Sequence, residues 1–237
     1  LAGYNTAREL RKLDTTTPLL ILTADSGPFY SKPMLSNALA SKKTAETIAL
    51  NAPEQMAVQL NATVRTKTRV DAIDATAHTL HIGDETLAYS KLVLALGADQ
   101  IRLPMEGNAT GSILTVNDID DYAKFRTVIA GKKRIAIIGA GLIGCEFAND
   151  LASGGYGVDI IDIAPQALGR LLQPQGGALL QAGLAALGVQ WHLGTSAQAV
   201  GISENGHAVT LANGRVLQVD VVLSAVGLKP RTALAAA

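Results

Sequence analysis

Cysteine occurs once in this chain of 237 residues, at Cys145. One thiol excludes an internal disulfide, a cysteine-built metal or iron–sulfur centre, and a paired-thiol redox centre within the segment. A surplus of either charge is missing as well, since 20 Lys and Arg balance 20 Asp and Glu. Divided at Pro104, the N-terminal part carries 11 basic against 10 acidic residues and the C-terminal part 9 against 10. Neither part has the basic excess of a nucleic-acid binder. No apolar run approaches the ~18 residues of a membrane span, and the opening LAGYNTARELRKL lacks the pattern of a signal peptide. A cytoplasmic protein without membrane insertion is the expectation. Trp191, the only tryptophan, reads as core, and His78, His81, His192 and His207 lack ligand spacing and read as structural. What is present is 48% hydrophobic and 17% charged, the make-up of a globular chain with room for two domains.

The informative stretch is RIAIIGAGLIGCEFANDLASGGYGVDIID, residues 134–162. An apolar strand, Ile135 to Ile138, runs into Gly139-Ala140-Gly141-Leu142-Ile143-Gly144; a helix follows, then a strand from Val158 to Ile161 that ends on Asp162. Each part has a task in holding a dinucleotide. Gly139 turns the chain sharply out of the strand. Gly141, without a side chain, lets a pyrophosphate approach the amides at the positive end of the helix. Gly144 allows close packing of helix on sheet. Asp162 stands where a carboxylate accepts hydrogen bonds from ribose hydroxyls and repels a 2′-phosphate, which favours NADH over NADPH. Cys145 lies on the first turn of that helix. It reads either as a thiol of lowered pKa or as a small buried apolar residue.

A repeat runs through the chain. Residues 82–97, IGDETLAYSKLVLALG, match 212–227, ANGRVLQVDVVLSAVG, without a gap at an offset of 130. Each has a polar turn, a short strand and an apolar strand ending in Ala-x-Gly; upstream, Ala77–Ile82 or His207–Leu211 completes a three-stranded meander. The first copy opens on Leu1-Ala2-Gly3-Tyr4, an amphipathic helix through Leu13 and a strand, Leu19 to Leu22. Matching Gly3 to Gly144 makes this a second dinucleotide site, with Asp25 near the end of its second strand. The alternative is a helical terminus of no special meaning. The absence of an initiator Met and the Ala-Ala-Ala ending lead us to expect that both ends are cut. Pro174 starts a helix through Leu187, Gly188 ends it, and Val189–Leu193 is a strand. Leu103 to Asp121, with Pro104, Gly107 and Gly111, reads as the crossing between domains.

Two α/β Rossmann-like dinucleotide domains, each with a three-stranded meander, resemble the two-domain flavoprotein pyridine-nucleotide reductases. TADSGPFYSKPMLSNALA (23–40), GLIGCEFANDL (141–151) and LSAVGLKPRT (223–232) narrow the resemblance to the rubredoxin–NAD reductases of bacterial alkane-oxidation systems. It covers essentially the whole chain. It implies an FAD-binding domain at 1–104, an NADH-binding domain at 105–228, and a return toward the FAD domain from 229. The cofactors implied are FAD and NADH, and the partner is rubredoxin or a related small iron carrier. Reductases of ferredoxins and of flavin-containing rubredoxins share this architecture, so the acceptor stays open. A non-catalytic NADH-sensing module is the alternative of another class. Because the resemblance places a strand and two glycines of the FAD loop before residue 1 and a Gly-Asp motif beyond the end, this segment is expected to retain FAD poorly, if at all.

The resemblance also implies roles residue by residue. Leu1, Ala2 and Gly3 are the remnant of the FAD pyrophosphate loop. Ala24 and Asp25 meet the adenosine ribose, and Val70 makes a backbone contact to adenine, or is an ordinary strand residue. Lys32 passes close to the flavin, or is a solvated lysine. Gly139, Gly141, Leu142, Ile143, Gly144, Glu146 and Asp162 line the NADH site, and Gly227 closes it near the nicotinamide. Glu146 and Lys32 are the catalytic candidates, Glu146 lying beside the reacting flavin nitrogen. Related ferredoxin reductases pair that glutamate with a lysine where this chain has Asn37. Lys32 is one substitute and an Asn37 hydrogen bond another, whereas a first-turn acid stabilising its helix by roughly 0.3–1 kcal/mol is the plain alternative. Lys42 and Lys43 mark an edge for an acidic carrier or a solvated charge pair.

Overall fold

The computed structural model describes residues 1–236, and their packing separates two compact units. The first comprises Leu1–Lys32, Glu46–Asp99 and the chain from Pro230 on; the second comprises Pro33–Ala45 and Gln100–Lys229. The boundary expected at Pro104 therefore lies just inside the second unit. The stretch Pro33–Ala45, assigned by sequence to the first domain, packs with the second.

In the first unit, α1 (Ala2–Leu13) is followed by β1 (Leu20–Leu22), α2 (Ala45–Ile48), α3 (Pro53–Gln59), β2 (Thr63–Arg65), the meander β3 (Ala72–Asp74), β4 (Thr79–Ile82) and β5 (Glu85–Ala88), and β6 (Ala98–Gln100). Tyr4 and Ala7, one turn apart, are the buried face of α1. They pack with Phe29, Met56 and Leu60, and the Tyr4 hydroxyl donates to the Gly27 carbonyl at 2.7 Å. At the other end of α1, the Arg11 guanidinium donates to the carbonyls of Leu60, Asp14, Thr17 and Asn61, a use of its planar fork of donors. Pro53 opens α3, where its missing N–H costs nothing. β1 and β2 pair in parallel, Leu20 opposite Thr63 and Leu22 opposite Arg65, and β3-β4-β5 is an antiparallel meander. One expectation fails here. Leu92–Leu96, matched to an apolar strand of the second copy, forms no strand among the described residues, and Val93 is 63% exposed. A strand needs a neighbouring strand to satisfy its backbone, and none of the described strands pairs with this run.

The second unit contains α4 (Ile119–Ile129), β7 (Arg134–Ile138), α5 (Leu142–Ser153), β8 (Gly157–Asp162), α6 (Pro174–Ala186), β9 (Gln190–Leu193), β10 (Ala197–Ser203), β11 (Gly206–Leu211), β12 (Val216–Val219), β13 (Val221–Ser224) and β14 (Leu228–Pro230). Its sheet runs β13-β7-β8-β9, every pair parallel. Strands buried on both faces read as continuous apolar runs, as in Ile135–Ile138. The meander β10-β11-β12 covers one face: Val200, Val209, Leu211, Leu217 and Val219 pack on Ala136, Ile138, Ile161 and Val222. Asp159 is 1% exposed within this sheet. It is satisfied by Arg134 from β7 at 2.7 Å and His192 from β9 at 2.8 Å, since a buried charge needs such partners. His192 is thus structural. Trp191 donates its ring N–H to the Gln181 carbonyl at 3.2 Å, half-buried beside α6.

Candidate functional site

β7, the loop 139–141 and α5 make the first part of the site. Gly139 has φ +113°, and a Cβ there would stand 2.6 Å from the Ala225 carbonyl oxygen. Both the conformation and the close approach of the chain after β13 require glycine. At Gly144 an added Cβ would lie 2.0 Å from the Gly139 carbonyl oxygen, which lets α5 start directly against the loop. Gly141 differs: a Cβ there would meet nothing within 4 Å. Its open side is the space a pyrophosphate would occupy against the first amides of α5, in a first turn that carries no acidic residue and whose residues Gly141, Leu142 and Ile143 are exposed. The loop therefore fits a dinucleotide phosphate.

Asp162 closes β8 beside this loop, and its carboxylate already has a task the sequence did not show. One oxygen accepts from the Ala140 amide at 2.5 Å and the other from the Ala164 amide at 2.7 Å. The side chain pins the glycine loop to the strand end. Each carboxylate oxygen carries a second lone pair, so room for ribose hydroxyls remains. Cys145, next to the loop, is buried, and its thiol lies 3.5 Å from the Ala140 carbonyl. Burial first, then the charges of Asp162 and Glu146, push that thiol up to about 11. It is a packed apolar residue rather than an activated thiol.

Glu146 lies on the second turn of α5, partly buried. Its Oε2 accepts a hydrogen bond from the Ser36 hydroxyl at 2.5 Å. Ser36 ends the 3-10 turn Lys32–Ser36 and is 5% exposed. One turn further along α5, Asp150 accepts from the amides of Leu39 and Ala40, both at 2.8 Å. Burial raises the Asp150 carboxyl above the ordinary range, while the two amides and Arg126 pull it down. Gly154 follows; a Cβ there would sit 2.0 Å from Leu39 Cδ2. From α4, Arg126 donates to the Lys43 carbonyl at 2.7 Å. Lys43 is thus tied by its backbone to the second unit. Ser36 and Asp150 both lay within the stretches quoted for the resemblance, but neither carried a role there, and nothing local in a sequence marks a contact over 110 positions.

The remaining candidates are placed as follows. Gly227, at φ +119°, stands just past β13 and receives the Ile101 amide at 3.0 Å. In the first unit, Leu1, Ala2 and Gly3 open α1, and Ala24 is exposed at the end of β1. Asp25 accepts from the Thr23 hydroxyl at 2.6 Å and the Gly27 amide at 2.9 Å. Val70 is half-buried and lines a groove of about 1120 Å³ with Gly3, Leu20, Leu22 and Leu94.

Among the described residues no helix is long and apolar enough to cross a membrane. The family model for pyridine nucleotide-disulphide oxidoreductases matches residues 1–237. The chain is 51% identical to a rubredoxin-NAD(+) reductase of Alcanivorax borkumensis over 99% of its own length and 62% of that protein's. It is 44% identical to the rubredoxin-NAD(+) reductase of Acinetobacter baylyi, again over 99% of this chain and 62% of the relative. It thus spans somewhat less than two thirds of these curated relatives. Among solved structures, the ferredoxin reductase for the CYP199A2 system from Rhodopseudomonas palustris superposes with a TM-score of 0.90. That pair shares 27% identity, covering 99% of this chain and 58% of that one.

Proposed function

This chain belongs to the pyridine nucleotide-disulphide oxidoreductase family, and from that premise we propose that it is the nucleotide-handling part of an NADH-dependent flavoprotein reductase serving rubredoxin in the cytoplasm. The observation that carries the proposal is the loop Gly139–Gly144, with open space over Gly141, helical amides behind it and Asp162 at the neighbouring strand end. Names and likeness agree with it, since two relatives are rubredoxin-NAD(+) reductases. The second unit is the NADH domain and the first the FAD domain. The family name includes a disulphide, but this chain has the single Cys145, whose thiol is buried and disfavoured as a thiolate. Electrons therefore leave by a route other than a thiol pair in this segment.

When bound, NADH supplies a hydride and FAD accepts it and can release electrons singly, the property a one-electron iron carrier needs. The protein's part is binding, orientation and exclusion of competing acceptors. The amides of Leu142, Ile143 and Gly144 would hold the NADH pyrophosphate, and Asp162 would select an unphosphorylated ribose while keeping the loop in shape. Gly227, at a positive φ, would shape the turn beside the nicotinamide. Leu1–Gly3 open α1 much as Gly141–Gly144 open α5, and Asp25 follows β1 where Asp162 ends β8; this parallel supports Leu1–Gly3, Ala24, Asp25 and Val70 as the residues that would hold the adenosine side of an FAD. Glu146 and Lys32 are assigned to the reacting end, Glu146 as the carboxylate beside the site of hydride transfer. A calorimetric titration of this chain with NADH tests the core of the reading; no binding at millimolar NADH overturns it. NADH-dependent reduction of rubredoxin against ferredoxin by the full-length flavoprotein then decides the acceptor.

A further inference from the structure

One face of α5 grips a distant piece of the chain. Glu146, Asp150 and Gly154 recur every four residues, the spacing that stacks positions on one side of a helix. All three meet the segment 36–40: Glu146 takes the Ser36 hydroxyl, Asp150 takes the amides of Leu39 and Ala40, and Gly154 leaves room for the Leu39 side chain. The Ser36 hydroxyl also lies 3.2 Å from the Pro33 carbonyl. A single proton serves one acceptor fully, and the 2.5 Å contact to a carboxylate is the stronger, charge-assisted one.

From this arrangement we propose that Ser36 is a positioning residue for Glu146, and that Asp150 is the clamp that delivers Ser36 to it. The inference rests on the reductase reading above and adds to it how the Glu146 carboxylate is kept in one orientation. A glutamate has three rotatable bonds, and a half-buried one on a helix samples several rotamers unless a partner fixes it. Ser36 is nearly buried, and its backbone is anchored within four residues by two hydrogen bonds to one buried carboxyl group. The hydroxyl is therefore itself immobile and can hold the carboxylate still. Asp150 is kept at a desolvation cost, which an aspartate with no task would not need to bear.

The test uses the full-length flavoprotein and, separately, crystals of the same variants. Ser36→Ala is expected to lower kcat for NADH-dependent flavin reduction about tenfold while leaving KM for NADH within twofold, because the phosphate loop is untouched. Ser36→Thr, which keeps the hydroxyl, is expected to recover most of kcat. In a Glu146→Gln background, Ser36→Ala should have no further effect. Asp150→Asn, with one acceptor oxygen where two amides need partners, should speed hydrogen exchange at Leu39 and Ala40. Crystals of Ser36→Ala should show Glu146 in more than one rotamer. An unchanged kcat, a loss that multiplies with that of Glu146→Gln, or a single unaltered Glu146 rotamer in the Ser36→Ala crystal overturns the proposal. The rotamer result is independent of turnover. Failure of wild-type protein to oxidise NADH would refute the reductase reading while the crystal still decides the role of Ser36.

Discussion

The two units carry the same sixteen-residue pattern at an offset of 130 and do different things with it. In the second, Val221–Ser224 is a strand buried at every position and paired in parallel with Ile135–Ile138. In the first, the matching run from Leu92 forms no strand, and Val93 and Leu94 are 63% and 43% exposed. β7 fills the place between β13 and β8; in the first unit Leu19–Leu22 and Leu92–Leu96 line a groove of about 1120 Å³. The lesson is that an apolar run becomes a strand when a neighbour takes its hydrogen bonds, and local pattern does not suffice. The meanders, which need only their own hairpins, form in both units.

Positions 93 and 223 stand at that offset, so a matched pair of substitutions gives the sharpest test. Leu223→Asp places a charge at a site 1% exposed and is expected to cost more than about 4 kcal/mol, enough to unfold the second unit. Val93→Asp in this chain should stay within about 0.5 kcal/mol. Urea unfolding followed at Trp191 for the first substitution and by circular dichroism for both reads the difference; equal effects would break the comparison. Next in size, Gly141→Val should fill the open side of the loop and weaken NADH binding by at least about a hundredfold, or ~2.8 kcal/mol, with thermal stability retained. Near-normal affinity by calorimetry would remove the phosphate assignment.

Asp162 can be split into its two tasks. Asp162→Ser should unpin Ala140 and Ala164, costing about 1–3 kcal/mol in stability, and should also raise the affinity for NADPH relative to NADH. A fall in melting temperature with an unaltered affinity ratio would leave only the loop-pinning task. A smaller loss is expected at Asp220, whose carboxylate accepts from the amides of Lys133 and Arg134 at 2.7 and 2.8 Å. Those amides hold it below the ordinary carboxylate range. A lowered folded value contributes stability that is complete above the unfolded value near ~3.9 and is lost as pH falls through the folded one. Asp220→Asn should therefore be less stable than wild type by about 0.5–1 kcal/mol at neutral pH, with the gap closing below about pH 4. A gap independent of pH would contradict this.

How much could be read in advance follows the distance over which each feature is made. Gly139, Gly141, Gly144 and the strand–helix–strand around them were legible because the glycine spacing and the flanking apolar runs lie within one stretch, whereas the approach of the Ala225 carbonyl to Gly139 was not. The helix from Pro174, closed by Gly188 at φ +93°, was legible for the same reason. The packing of Pro33–Ala45 with the second unit was not, nor were the bonds of Ser36 to Glu146 and of Leu39 and Ala40 to Asp150. In these, a serine, two backbone amides and two carboxylates gain meaning only once α5 and the segment lie side by side.

Composition and order of residues by themselves determined an α/β chain with two related halves, one complete glycine loop, an acid at the neighbouring strand end and no thiol pair. Periodicity and turn chemistry act over a few residues and need no partner to be read. Tertiary structure alone decided what the Asp162 carboxylate holds and which hydroxyl meets Glu146. Hydrogen bonds over a hundred positions depend on where packed elements bring their ends, and no local signal records that.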